Sequence, residues 1–218
     1  MQAILFDWDG TLVDSLGAFH AANAAVMGAF GLPFDEVVYR RNYAPDWRLM
    51  YRRLGIPSDR LDEANELWNA SYASATEVIA FDGVTGALEA LGAAGARLGI
   101  ITAGHREIVV PQLDRTGLAG LLTTRVFGDD LDVHKPDPAP LRLALAMLGL
   151  DDLADEVVYV GDAPTDMLMA RAVGVHAIGI ASVLGDPDEL RAAGAEEVAD
   201  SVAIWAASHL DPARPVSR

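Results

Sequence analysis

Phe6-Asp7-Trp8-Asp9-Gly10-Thr11-Leu12-Val13-Asp14-Ser15 follows directly on the apolar run Ala3-Ile4-Leu5. A strand turns successive side chains to opposite faces, so Asp7 and Asp9 leave its end on one side and Trp8 is expected to pack on the other. Two carboxylates so close repel each other unless a divalent cation or a shared proton neutralises them. The pair therefore points to metal-assisted chemistry. Gly10 lets the backbone turn sharply away, and Thr11 offers a hydroxyl and an amide beside the carboxylates. A calcium loop fits worse: the EF-hand needs its glycine five positions after the first Asp, a closing Glu and flanking helices, whereas Gly10 comes three after Asp7 and behind a strand.

Further apolar runs with little polar alternation predict strands over residues 2–6, 97–102, 156–160 and 175–180, with a weaker one over 125–127. Such strands are buried on both faces. Helical patterns over 85–94, 106–116, 138–148 and 165–173 alternate with them, as a parallel sheet requires. The expected fold class is α/β, a Rossmann-like doubly wound parallel sheet. Two more helices are expected at Pro187–Ala193 and Val202–His209, then a frayed tail over 211–218. Residues 16–79 break the alternation, with helical patterns over 16–30, 46–54 and 60–75 and no convincing strand. They read as an inserted helical domain, which leaves 1–15 and 80–218 as the core and puts hinges near 14–16 and 80–83.

Three other places carry reactive residues, each at the C-terminal end of a predicted strand, where open α/β sheets bind ligands. In Thr102-Ala103-Gly104 a hydroxyl precedes small residues whose amides can approach a phosphoryl oxygen, so Thr102 and Ala103 read as a phosphate cradle. Val133-His134-Lys135-Pro136-Asp137-Pro138 contains the only lysine of the chain. Pro136 biases Lys135 away from helical geometry, and Asp137 and Pro138 can start the next helix. His134 reads as a solvated loop residue. Gly161-Asp162-Ala163-Pro164-Thr165-Asp166 sets two carboxylates at the start of another helix.

Taken together, these stretches resemble the DxDGT, Ser/Thr, KPxP and GDxxxD elements of the haloacid dehalogenase superfamily, in the order of that family and over nearly the whole chain. Within it the chain is similar to the phosphoglycolate phosphatase-like subgroup, whose helical cap lies after the first strand and closes over the strand ends. The resemblance implies a phosphatase acting on a small phosphate monoester through an aspartyl-phosphate. Asp7 would be the nucleophile and Asp9 the acid and base. Lys135, Thr102 and the Ala103 amide would hold the phosphoryl oxygens. Mg2+ would sit on Asp7, the Asp9 carbonyl and Asp162, with Asp166 ordering a water or Lys135 behind them. The family usually has Asn after the Ser/Thr, so Ala103 departs from the pattern and removes a donor.

Rival chemistries fare less well. Dehalogenases need neither Asp9 nor a metal; phosphonoacetaldehyde hydrolysis needs a cap lysine, which this chain lacks. A phosphomutase of the β-phosphoglucomutase type wants a cap His where Phe19 stands, with His20 turned about 100° away on a helix. A non-catalytic binding protein would have little reason to keep every charged motif residue.

Composition sets the remaining bounds. The 218 residues, 51% of them hydrophobic, can bury a substantial core. Cysteine is absent, which removes disulfides and thiolate chemistry and fits a cytoplasmic setting. No stretch reads as a targeting segment or a membrane span. A net charge of −16 disfavours nucleic acid but leaves a small phosphorylated metabolite open, since local charges and a metal suffice to hold it. Oligomeric state is not readable. Arg40, Arg41, Arg48, Arg52, Arg53 and Arg60 cluster in the insertion. Because Asp46-Trp47-Arg48 opens a helix there, Arg48 is the candidate for reading an anionic substrate tail.

Overall fold

The protein is described here by a computed structural model covering residues 1–42, 47–75, 77–182 and 185–211. The side chain of Arg40, residue Asp46 and the expected tail over 212–218 lie outside the described residues.

The chain divides into two compact units, one made of Met1–Asp14 and Ile79–Arg218, the other of Ser15–Val78. In the first, β1 (Ala3–Phe6), β4 (Arg97–Ile101), β5 (Thr124–Val126), β6 (Val157–Gly161), β7 (His176–Ile180) and β8 (Glu197–Ala199) form one sheet in the order β5-β4-β1-β6-β7-β8. Every pairing in it is parallel. Chain order reverses at β1, since β4 and β5 lie on one side of it and β6 to β8 on the other. That reversal opens a crevice at the strand C-termini, and Asp7 is the first residue past β1.

The apolar runs are strands because both faces are covered. All of β1 and β6 is buried. Around them pack α5 (Val84–Ala93), α6 (Arg106–Thr116), α7 (Ala139–Leu148), α8 (Pro164–Val173), α9 (Pro187–Ala193) and α10 (Val202–His209). Leu5, Leu141, Leu145, Tyr159, Met167 and Leu190 belong to one continuous core. The last two helices have their own caps: Asp186 accepts from the amides of Asp188 and Glu189, and Ser201 from that of Ile204.

The second unit is helical, with α1 (Leu16–Ala29), α2 (Glu36–Asn42), α3 (Trp47–Arg53) and α4 (Leu61–Ala73). Val26, Met27, Met50, Tyr51, Leu54 and Leu61 form its core, and the buried Tyr51 hydroxyl donates to Asn23 at 3.1 Å. Helix α2 was not anticipated. It is one short segment, although its start is marked by Asp35, whose carboxylate accepts from the Val38 amide at 2.7 Å. A small antiparallel ribbon, β2 (Val13–Asp14) with β3 (Ile79–Ala80), joins the chain where it leaves and re-enters the first unit.

Candidate active site

After β1 the backbone turns at once: the Leu12 amide donates to the Trp8 carbonyl at 3.0 Å and Gly10 takes φ 78°, a left-handed conformation that favours glycine. Space imposes the same choice. A Cβ on Gly10 would lie 2.3 Å from Oδ2 of Asp162. The turn and the carboxylate after β6 are therefore packed directly together. Trp8 is fully buried and donates to Gln112 of α6 at 2.8 Å, on the inward side expected for it.

Three carboxylates converge: Asp7 after β1, Asp162 after β6 and Asp166 in the first turn of α8 each bring an oxygen within 4.8 Å of the others. Asp9 is half-buried and outside this trio, yet near enough for its charge to act on Asp162. Lys135, on the loop leading into α7, binds Oδ1 of Asp7 and Oδ1 of Asp166 at 2.7 Å each, and the Tyr159 hydroxyl at 3.0 Å. Asp166 also accepts from the Ala163 amide at 3.1 Å, which ties its carboxylate to the start of its own helix. Asp162 is held from two sides, by the Ser182 hydroxyl at 2.7 Å and by that of Thr11 at 3.4 Å.

Beside Lys135, a small cleft is lined by Thr102, Ala103, Gly128 and His134 among others. Thr102 is buried and its Oγ1 accepts from the Gly104 amide at 2.9 Å, so its hydroxyl shapes the loop itself. Gly128 donates to the Gly104 carbonyl at 2.9 Å, and a Cβ there would fall 2.1 Å from the Ala103 carbonyl oxygen. Ala103 is exposed at the cleft. Arg106 clamps the two loops by stacking 4.3 Å over Phe127 and pairing with Asp130.

The electrostatics call for a cation. Burial raises the Asp7 carboxyl well above its usual range, and Asp166 and Asp162 add to this against the opposing pull of Lys135. Burial and the charge of Asp166 push Asp162 up to about 6. Burial works to lower Lys135, but Asp166 and Asp7 outweigh it and raise the ammonium. With all three carboxylates ionised and one ammonium among them, the site would carry an excess of two negative charges. An oxygen-only donor set with that excess suits Mg2+.

The structure thus brings together Asp7, Asp162, Asp166, Lys135, Thr102 and Ala103 at neighbouring strand ends of the first unit, with Asp9 on the same turn. Arg48 belongs to the other unit, where it is exposed and stacks 4.3 Å over Trp47. Two residues at the site were not anticipated. Tyr159 had a legible signal, as the one polar side chain in a wholly buried strand needs a hydroxyl partner. Ser182 offered only a serine after a strand.

The model of the haloacid dehalogenase-like hydrolases matches residues 4–180, a span that includes Asp7, Asp9, Thr102, Ala103, Lys135, Tyr159, Asp162 and Asp166. The chain belongs to that family. This haloacid dehalogenase-like hydrolase is 36% identical to the phosphoglycolate phosphatase of Rhodospirillum rubrum over 190 residues, 81% of this chain and 78% of that one. It is 34% identical to the plasmid-borne phosphoglycolate phosphatase of Cupriavidus necator, over 97% of this chain and 94% of that one. A haloacid dehalogenase-like hydrolase from Bacteroides fragilis shares its fold with a TM-score of 0.84 at 24% identity, over 94% of this chain and 99% of the other. Within the family, the chain is a phosphatase.

Proposed function

We propose that this phosphatase is magnesium-dependent and hydrolyses a small anionic phosphate monoester, phosphoglycolate or a close analogue, through a phosphorylated Asp7. The observation that carries this reading is the Lys135 ammonium, held at 2.7 Å from both Asp7 and Asp166 inside a trio of carboxylates. A lone carboxylate–lysine pair would be a structural ion pair. Here the surplus negative charge leaves room for a divalent cation and, with it, a phosphoryl group.

The steps follow from the residues. An Asp7 oxygen attacks phosphorus, the bond to the ester oxygen breaks, and Asp9 gives its proton to the departing alkoxide. Asp9, now a carboxylate, takes a proton from water as that water attacks phosphorus and breaks the bond to Asp7, freeing inorganic phosphate. Lys135 and the amides of the Thr102 loop neutralise and orient the equatorial oxygens. Asp7, Asp162 and the Asp9 carbonyl would hold Mg2+, which supplies charge stabilisation between nucleophile and phosphoryl group. Phosphoglycolate enters because relatives at 36% and 34% identity carry that name, and an arginine such as Arg48 suits its carboxylate. A cytoplasmic setting belongs to the same proposal and rests on the cysteine-free composition. Against the mutase reading, Phe19 sits edge-on to Trp68 and Tyr72, at 5.1 and 4.9 Å, as a packing residue.

The test is phosphate release from phosphoglycolate, pyrophosphate, nucleoside monophosphates and sugar phosphates, with Mg2+ and with excess chelator. Turnover is expected only with metal and fastest on a small carboxylated ester. Full turnover in chelator would remove the assigned metal role.

A further inference from the structure

Tyr159 is fully buried in β6, yet its hydroxyl lies inside the polar network of the site. It is 3.0 Å from Lys135 Nζ, 3.1 Å from Oδ1 of Asp166 and 3.2 Å from the Ile101 carbonyl. An ammonium has three N–H donors and a hydroxyl has one. The Lys135 donors are therefore all spoken for, by Asp7, Asp166 and Tyr159. A phosphoryl oxygen that is to be held by Lys135 must displace one of them. Charge-assisted bonds are stronger than those to neutral acceptors, and the two carboxylate bonds, at 2.7 Å, are also shorter than the tyrosine bond at 3.0 Å. The neutral oxygen is the cheapest to give up. Tyr159 loses only an accepted bond in the exchange, because its own O–H still donates to Asp166 or to the Ile101 carbonyl, so the ring and hydroxyl remain anchored.

We propose that Tyr159 is a positioning residue for Lys135, whose hydroxyl occupies the third ammonium N–H in the resting site and yields it to a phosphoryl oxygen when ligand arrives. The proposal rests on the phosphatase reading for its ligand and on the network alone for its geometry. It makes Tyr159 a competitor of bound phosphate. Removing the hydroxyl leaves a buried donor unmet, and such a donor gains more than usual from a new acceptor.

Lys135 is the only lysine in the chain, so protein labelled with 15N-lysine shows a single side-chain ammonium resonance. In the wild-type protein this resonance should exchange its hydrogens far more slowly than free lysine, and it should shift when inorganic phosphate is added in the presence of Mg2+. In Tyr159→Phe the exchange should quicken. Calorimetry with inorganic phosphate and Mg2+ should then show binding about fivefold tighter than wild type, the direction opposite to that of general damage. Phosphate affinity equal to or weaker than wild type in the folded variant overturns the proposal. Should that variant fail to fold, the wild-type spectrum decides: an ammonium that exchanges as freely as lysine in solution, or that ignores phosphate, overturns it equally. Neither measurement uses turnover, so a failure to hydrolyse any ester would count against the phosphatase reading alone.

Discussion

Gly10→Ala probes the packing of the first turn against the carboxylate after β6. Two costs can be separated. The first is conformational: an alanine held at the φ of 78° that Gly10 adopts costs about 1–2 kcal/mol. For a chain of 218 residues that lowers Tm by about 2–8 °C. The second is steric. The new Cβ would sit 2.3 Å from Asp162 Oδ2 where ordinary contact begins near 3.4 Å, so the carboxylate must withdraw by about 1 Å. A displacement of that size in a reacting constellation costs about a hundredfold in rate, or about 2.7 kcal/mol. Gly149→Ala separates the two, since Gly149 has φ 66° with nothing within 4 Å of an added Cβ. Both variants should lose a few degrees by scanning calorimetry. Only Gly10→Ala should lose about two orders of magnitude in Mg2+-dependent kcat/KM on phosphoglycolate, measured well below either Tm. If the two variants retain kcat/KM values within threefold of each other, the contact between Gly10 and Asp162 has no catalytic meaning and the reasoning fails.

Asp7→Asn should remove turnover by several orders of magnitude with folding intact by circular dichroism, because an amide neither attacks phosphorus nor adds charge for the metal; activity above about one per cent would speak against Asp7 as nucleophile. Thermal shift should show a pH-dependent magnesium effect. Asp162 titrates near 6, above its usual 3.8, so in metal-free protein the cost of ionising it grows as pH rises through that window, by about 3 kcal/mol at most. Mg2+ needs the ionised form, so its gain in Tm should be small at pH 5 and full at pH 8, and an equal gain at both would contradict Asp162 as ligand. Arg48→Ala should raise KM for an anionic substrate about tenfold, roughly 1.4 kcal/mol, while sparing a neutral-tailed aryl phosphate. Equal effects on both substrates would remove the specificity role.

What was legible depended on how strongly local pattern reflected burial. The strands β1, β4, β6 and β7 sit inside the sheet and are apolar throughout or nearly so, which makes them visible as runs. The edge strand β8 has three half-buried residues, Glu197 to Ala199, with no periodicity to detect. The ribbon of β2 and β3 is two residues long on each side, too short for any pattern. Helices α9 and α10 were expected over the spans they occupy, and the structure adds their caps, Asp186 and Ser201, whereas α2 is a single short segment behind an Asp35 cap. At the site, Asp7, Asp162, Asp166 and Lys135 could be named because strand ends in a parallel sheet meet. The pairing of Asp166 with Lys135 was expected and is present, but other partners in space could not be named. That Tyr159 takes the third bond of the Lys135 ammonium, or that Ser182 braces Asp162, depends on side-chain reach across separate loops, which no spacing along the chain encodes.

The most direct measurement is chemical trapping of the intermediate. Enzyme mixed with phosphoglycolate and Mg2+ is quenched in acid within its first turnovers, reduced with borohydride to turn an acyl phosphate into an alcohol, and sequenced by tandem mass spectrometry. The account predicts homoserine at position 7 and at no other aspartate, absent when substrate is left out. Rapid phosphate release with an unmodified Asp7, or with the mark on another residue, would contradict it.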